Sequence, residues 1–332
     1  MKADYECPFG TRCCAAIRGL LVVLAFVISG QSAASNISAT SDESKIIYVT
    51  NDPNGADFGP QFSPDCQRLI FDRRPLISGK WETYEVPIKG GVPKPFISTQ
   101  LPVAQTRLHW SLTVNKIVFT GIAPHGAAST WLMNGDGTHA HPAYGSSSVN
   151  AYYPTWYADG NRIVELDSDK SALRIVNLDT GKAEQLTTTP ALLTGMASVS
   201  PDGKWIAVAA QMDVGQSYDQ TVNKIWLISD KGIAHPLEKN NMEGRAPSWS
   251  PDGSKLLFES NQGSPRPTLY AIFVADKDGT NVQQLTPFEL NAQHPTWSSD
   301  GKWIAFSARQ AKVLGAFGPG IAIMAAPTLA RP

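Results

Sequence analysis

Apolar and polar residues alternate along most of this chain in short runs separated by Gly, Asp, Asn and Pro, the period-two pattern of β-strands joined by tight turns. The runs recur. An aromatic or apolar residue is followed seven positions later by a β-branched or leucine run in six places, starting at Phe62, Trp110, Trp156, Val199, Trp249 and Trp297. The clearest copies read Trp249-Ser-Pro-Asp-Gly-Ser-Lys-Leu-Leu-Phe258 and Trp297-Ser-Ser-Asp-Gly-Lys-Trp-Ile-Ala-Phe306, and successive starts lie 48, 46, 43, 50 and 48 residues apart. A period of 40 to 50 residues filled with strand patterns predicts a β-propeller.

Within each copy the two apolar runs flank a Pro-Asp-Gly or Asp-Gly pair, so each copy is predicted to be a hairpin. A second pair of strand patterns follows, as in Tyr270-Ala-Ile-Phe-Val-Ala275 with Asp278-Gly279 and then Val282-Gln-Gln-Leu-Thr286. Two hairpins in succession make a four-stranded antiparallel blade. The sixth copy has only three strands before a proline-bearing tail with Pro327 and Pro332, whereas Lys45-Ile-Ile-Tyr-Val-Thr50 precedes the first copy at the spacing of a fourth strand. The expectation is therefore an all-β, six-bladed propeller of four-stranded antiparallel blades over residues 45–332, its last blade closed by the N-terminal strand.

Residues 1–34 read differently. Arg12 and Arg18 precede an apolar core from Gly19 to Ile28, and Ser32-Ala33-Ala34 supplies small residues where a signal peptidase cuts. The core is shorter than the roughly 20 residues a bilayer requires. We expect a signal peptide over 1–34, a linker over 35–44, a periplasmic or secreted location and no stable membrane insertion. Cys7, Cys13 and Cys14 fall in the predicted leader, leaving Cys66 alone, at a position where other copies place Gly. With the leader removed, 25 basic and 27 acidic residues remain, a balance that provides no field for nucleic acid.

The unit (Pro)-x-Trp-Ser-Pro-Asp-Gly-x-x-Ile-x-Phe, then an apolar strand ending in Asp-x-Asp-Gly-Thr, then Gln-Leu-Thr, resembles the WD-repeat-like propeller of the TolB family. Residues 247–286 carry it almost unbroken, and 295–306 repeat its first half. The resemblance implies partners in the cell envelope, the family's own being a peptidoglycan-associated lipoprotein. TolB carries an α/β domain ahead of its propeller; with about ten residues between leader and first strand, this chain resembles a propeller-only member.

Asp65, Asp159, Asp202, Asp252 and Asp300 are expected to serve their turns rather than a ligand. Asp276-Lys-Asp-Gly-Thr280 begins like a calcium loop, lacks its later acidic ligand and falls where a hairpin turn belongs. His139 and His141, with His125 nearby, are expected as a surface group on an outer strand. No Gly-x-Ser-x-Gly occurs, which argues against a serine hydrolase.

The Asp-Gly turns should all fall on one rim, and the inter-blade connections with the second-to-third strand loops on the other. Rigidly held loops are where binding residues concentrate. The candidate binding residues are therefore Arg107, His109, Tyr152, Tyr153, Tyr218, Asp219, Arg245 and His294, with Phe58 and Met196 beside the channel mouth. Aromatics next to Arg and His suit a peptide, a carboxylate or a sugar face. The expected function is a monomeric exported scaffold that binds a cell-envelope protein or peptide through its loop-rich rim without catalysis, cofactor or metal. The alternative is a carbohydrate-active or metal-dependent propeller enzyme of lyase or lactonase type, whose ligands would be His109 and His294 with Asp57 and Asp219.

Overall fold

The computed structural model describes residues 46–97, 101–145, 150–186, 192–211, 221–237, 243–309 and 318–327; the predicted leader and linker lie outside them. Six four-stranded antiparallel sheets follow one another in chain order. The first blade comprises Gly55–Phe62, Arg68–Pro75, Glu82–Pro87 and Lys94–Pro95, and the third comprises Ala151–Trp156, Arg162–Asp167, Ala172–Asn177 and Ala183–Gln185. Each innermost strand touches the innermost strands of the blades before and after it, and the first touches the sixth, so the ring is closed.

Blade six takes Gln293–Trp297, Trp303–Arg309 and Pro319–Ala325 from the end of the chain and Ile47–Tyr48 from its beginning, as the sequence predicts. Ile47 pairs with Ile323 and Tyr48 with Ala322. The Thr50 hydroxyl accepts the Ile321 amide at 2.8 Å and donates to Asp57 at 2.6 Å, tying the closing strand to blade one.

The apolar core is divided into six clusters, one at each blade-to-blade interface. Ile70 and Phe96 of blade one pack on Trp110, Ile117 and Phe119 of blade two, and Val49, Ala305 and Ile323 of blade six pack on Phe62, Leu69 and Phe71 of blade one. Second strands are covered on both faces by neighbouring blades. Ile163–Asp167 is accordingly buried throughout, the acids Glu165 and Asp167 included. Fourth strands are only two or three residues long, leaving short outer edges.

The first-to-second strand turns repeat one geometry. Cys66, Gly160, Gly203, Gly253 and Gly301 have φ between 56° and 72°, and each donates its amide to the carbonyl three residues back. The aspartates serve these turns, as expected. Ser200, Ser250 and Ser298 hydroxyls donate to Asp202, Asp252 and Asp300 at 2.5 to 2.6 Å, and a following amide donates to the same carboxylate oxygen. Cys66 thus occupies the glycine position of its turn, with its Sγ 3.0 Å from Ser299 Oγ of blade six.

Candidate binding channel

Every innermost strand is interrupted by a β-bulge at the same repeat position. The residue there is Gly59, Arg107, Tyr153, Met196, Ala246 or His294, all with φ between 48° and 58°. In blades one, two, three and six the bulge amide is held by a side chain on the second strand of the preceding blade. Gly59 donates to Ser307 at 3.2 Å, Arg107 to Asp72 at 2.8 Å, Tyr153 to Thr120 at 2.9 Å and His294 to Glu259 at 2.6 Å. A bulge leaves an amide out of the ladder and re-aims the local side chains, and here the neighbouring blade satisfies that amide.

Two residues beyond each bulge stand Gln61, His109, Thr155, Ser198, Ser248 and Thr296, all lining the central channel. The channel has two chambers that share Gln61, Thr155, Ser248 and Thr296 as walls. The chamber nearer the loop-rich rim, about 150 Å³, is lined by Gly59, Arg107, His109, Met196, Ala246 and His294 among others. The other, about 370 Å³, opens among the Asp-Gly turns beside Trp110, Trp156, Trp249 and Trp297. The Trp156 indole donates to the His109 carbonyl at 3.0 Å and that of Trp297 to the Ser248 carbonyl at 3.2 Å, bracing the wall.

The structure brings Arg107, His109 and His294 together in the smaller chamber. The Arg107 guanidinium lies 5.8 Å from the Tyr153 ring, which packs tilted against Tyr152 at 5.8 Å. The His294 ring meets Phe58 edge-on at 6.2 Å, and Phe58 meets Trp81 at 5.5 Å. Arg245 has a different setting: its guanidinium is ion-paired with buried Glu259 and covers the Tyr270 ring at 4.1 Å. Tyr218 and Asp219 lie outside the described residues. Asp57, considered above as a metal ligand, is held by Arg73 at 2.6 and 2.8 Å and by Thr50, and no group of three His, Cys, Asp or Glu side chains is placed to hold a metal ion among the described residues.

Electrostatics single out the same chamber. Burial, reinforced by the Arg107 charge, pushes His109 down to about 4. Burial, with the charges of Arg107 and Arg245, holds His294 well below the usual imidazole range. Both rings are therefore neutral at pH 7. Asp72, behind the wall, accepts from the Thr106 hydroxyl and the Arg107 amide through Oδ2, while its buried Oδ1 has no partner. Burial raises this carboxyl to about 6 against the pull of Arg107. Sequence reasoning missed Asp72 and Trp81. Asp72 occupies the repeat position held by Thr120, Leu166, Ala209, Glu259 and Ser307 in the other blades, so alignment of the copies could have flagged it.

Comparison with known proteins agrees with this architecture. The family model of the TolB beta propeller domain (PD40) matches residues 154–317. An uncharacterized peptidase of Bacillus subtilis, YuxL, is 30% identical over 118 residues, which are 34% of this chain and 17% of that protein. The chain spans at most half the length of the curated relatives it matches. Among solved structures, a putative TolB from Agrobacterium tumefaciens aligns with a TM-score of 0.61 at 17% identity, covering 85% of this chain and 97% of that one. Oligogalacturonate lyase in complex with manganese aligns with a TM-score of 0.55 at 14% identity, covering 88% and 96%. At these identities the two structures speak for the fold alone. Repeat chemistry, a family-model match over just under half of the chain and the six-bladed ring together support a TolB-like β-propeller family.

Proposed function

We propose that this protein is an exported, monomeric binding scaffold that receives a cell-envelope protein or peptide on its loop-rich rim, around the smaller chamber of the channel. The observation that carries the reading is the concentration of anchoring side chains there: Arg107 over Tyr153, with Tyr152, and His294 against Phe58 and Trp81. Arg, Tyr and Trp are the residue types most enriched at interface hot spots. On the same rim, the second-to-third strand loop of blade one exposes Leu76 at 49% and Ile77 at 98%. Exposed apolar residues also occur on the opposite rim, at Val92 and Ile233, as do the pairs Arg68 over Trp110 and Arg162 over Tyr157; the loop-rich rim is favoured because Arg107, His109 and His294 converge there on one chamber. No helix among the described residues is long and apolar enough to cross a membrane.

The test is a pairwise one. A partner recovered from envelope extract and then purified should bind the wild type and lose about tenfold or more in affinity against Ile77→Asp combined with Tyr153→Ala, since each hot-spot truncation removes about 2 kcal/mol. Lys204→Glu with Lys302→Glu, on the turn rim, should leave binding unchanged. Loss with the turn-rim pair and retention with the loop-rim pair would assign the wrong face.

A further inference from the structure

The arginines near the ring's interior mostly have carboxylate partners. Arg73 has Asp57 and Asp52, Arg174 has Glu165, and Arg245 has Glu259. Arg107 is the exception: its guanidinium lines the smaller chamber and forms no ion pair among the described residues. Asp72, whose carboxyl feels the Arg107 charge, directs its Oδ2 to the Arg107 backbone amide and the Thr106 hydroxyl instead. On the other side of blade one, the His294 Nδ1 is buried and has no hydrogen-bond partner. His109 lines the same space, and Thr155, Ser198, Ser248 and Thr296 bring hydroxyls to its walls. Buried polar atoms are ordinarily paired; here a guanidinium without a carboxylate partner lines a cavity beside a histidine whose Nδ1 is buried and unpaired.

We propose that the smaller chamber is a carboxylate socket, in which Arg107 forms the ion pair and His109 and His294 flank it, and that the carboxylate is the C-terminus of the bound peptide. The guanidinium fork matches a carboxylate in two parallel hydrogen bonds. A chain terminus fits the geometry because the chamber, about 150 Å³, sits in a channel walled by all six inner strands. A chain end can enter such a space end-on from the loop-rich rim, whereas a continuous segment would have to thread past the walls of Gln61, Thr155, Ser248 and Thr296 that both chambers share. Gly59 supports this assignment from below: a Cβ there would lie 3.3 Å from Arg107 Nη1, so the absence of a side chain leaves the guanidinium its room. The proposal rests on the peptide-binding reading above and specifies which end of the peptide is held.

The experiment follows the imidazole proton resonances of His109 and His294, assigned with His109→Gln and His294→Gln, in the intact exported protein. Three probes are titrated: N-acetylglycine, N-acetylglycinamide and galacturonate. The expected result is that N-acetylglycine perturbs both rings and raises the His109 titration midpoint by about one to two pH units, because a carboxylate beside an imidazole favours its protonated form. N-acetylglycinamide should have no effect, and Arg107→Gln, shown by its melting curve to be folded, should weaken N-acetylglycine at least about tenfold. Equal responses to acid and amide, or full binding by Arg107→Gln, would overturn the socket. Binding of galacturonate without N-acetylglycine would overturn the peptide source in favour of a sugar acid. If the purified partner binds the rim while N-acetylglycine does not bind, the socket falls and the scaffold reading stands. If N-acetylglycine binds while the rim variants leave the partner untouched, the socket stands and the rim assignment falls.

Discussion

Asp72 joins the fold to the site at the scale of a single residue. Its carboxyl is raised to about 6 by burial, so the native protein takes up this proton at a higher pH than the unfolded chain does. That contribution to stability is fully present below pH about 4 and is lost as pH rises through about 6. His109 has the opposite sign: with its midpoint lowered to about 4, its contribution is present above pH about 6.5 and is lost as pH falls through about 4. Between these limits the two oppose each other. In Asp72→Asn the amide oxygen can still accept from Arg107 and Thr106, but the protonatable counterweight is gone. The unfolding free energy in urea should therefore fall between pH 6.5 and 4.5 by about 2 kcal/mol more in Asp72→Asn than in the wild type. Parallel pH profiles for the two proteins would mean that Asp72 titrates as an ordinary exposed acid.

Turns and bulges, at the scale of the element, differ in how they are written in the chain. The turn glycines are explicit: Gly253 has φ +69°, and a Cβ there would meet Pro201 Cδ at 3.4 Å. Gly253→Val should cost about 2 kcal/mol, by forcing a β-branched residue into the left-handed region. Ala127→Val, in the exposed second-to-third strand turn of blade two, should stay within about 0.5 kcal/mol. Equal losses in thermal melts would contradict the shared turn geometry. Cys66, at φ +56°, shows that an unbranched side chain is tolerated at this turn position. The hairpins, the count of six and the closing strand were legible because burial between blades dictates residue type at each strand position. The bulges were harder to read: Gly59, Arg107, Tyr153, Met196, Ala246 and His294 share a backbone conformation and no chemistry. One signal was present. Pro60, Pro154, Pro247 and Pro295 immediately follow four of the six, at the point where the strand pairing breaks and a missing amide does little harm. Arg107, His109 and His294 could be nominated from position along the strand. That Arg245 was already ion-paired depended on Glu259 of the adjacent strand, a contact that residue type does not reveal.

For the whole molecule, stability depends on the ring being shut. Removing residues 35–52 would strip the Ile321–Ile323 edge of its partner, expose the interface that Val49 fills between blades six and one, and release Asp57 from Thr50 and Arg73 from Asp52. The melting temperature should drop by roughly 10 °C, as expected for several kcal/mol in a chain of this size. An unchanged melt would place the closing contact outside the cooperative unit. The repeated bulge has a different consequence at this scale. Its shape is set by backbone angles and, in most blades, by a hydrogen bond from the neighbouring blade, whereas the side chain it presents does not build the strand. Six positions around the channel can therefore change identity one at a time while the ring beneath them stays the same. The mouth behaves as a six-letter word written on a fixed frame, so that new ligand preferences can arise by spelling rather than by refolding.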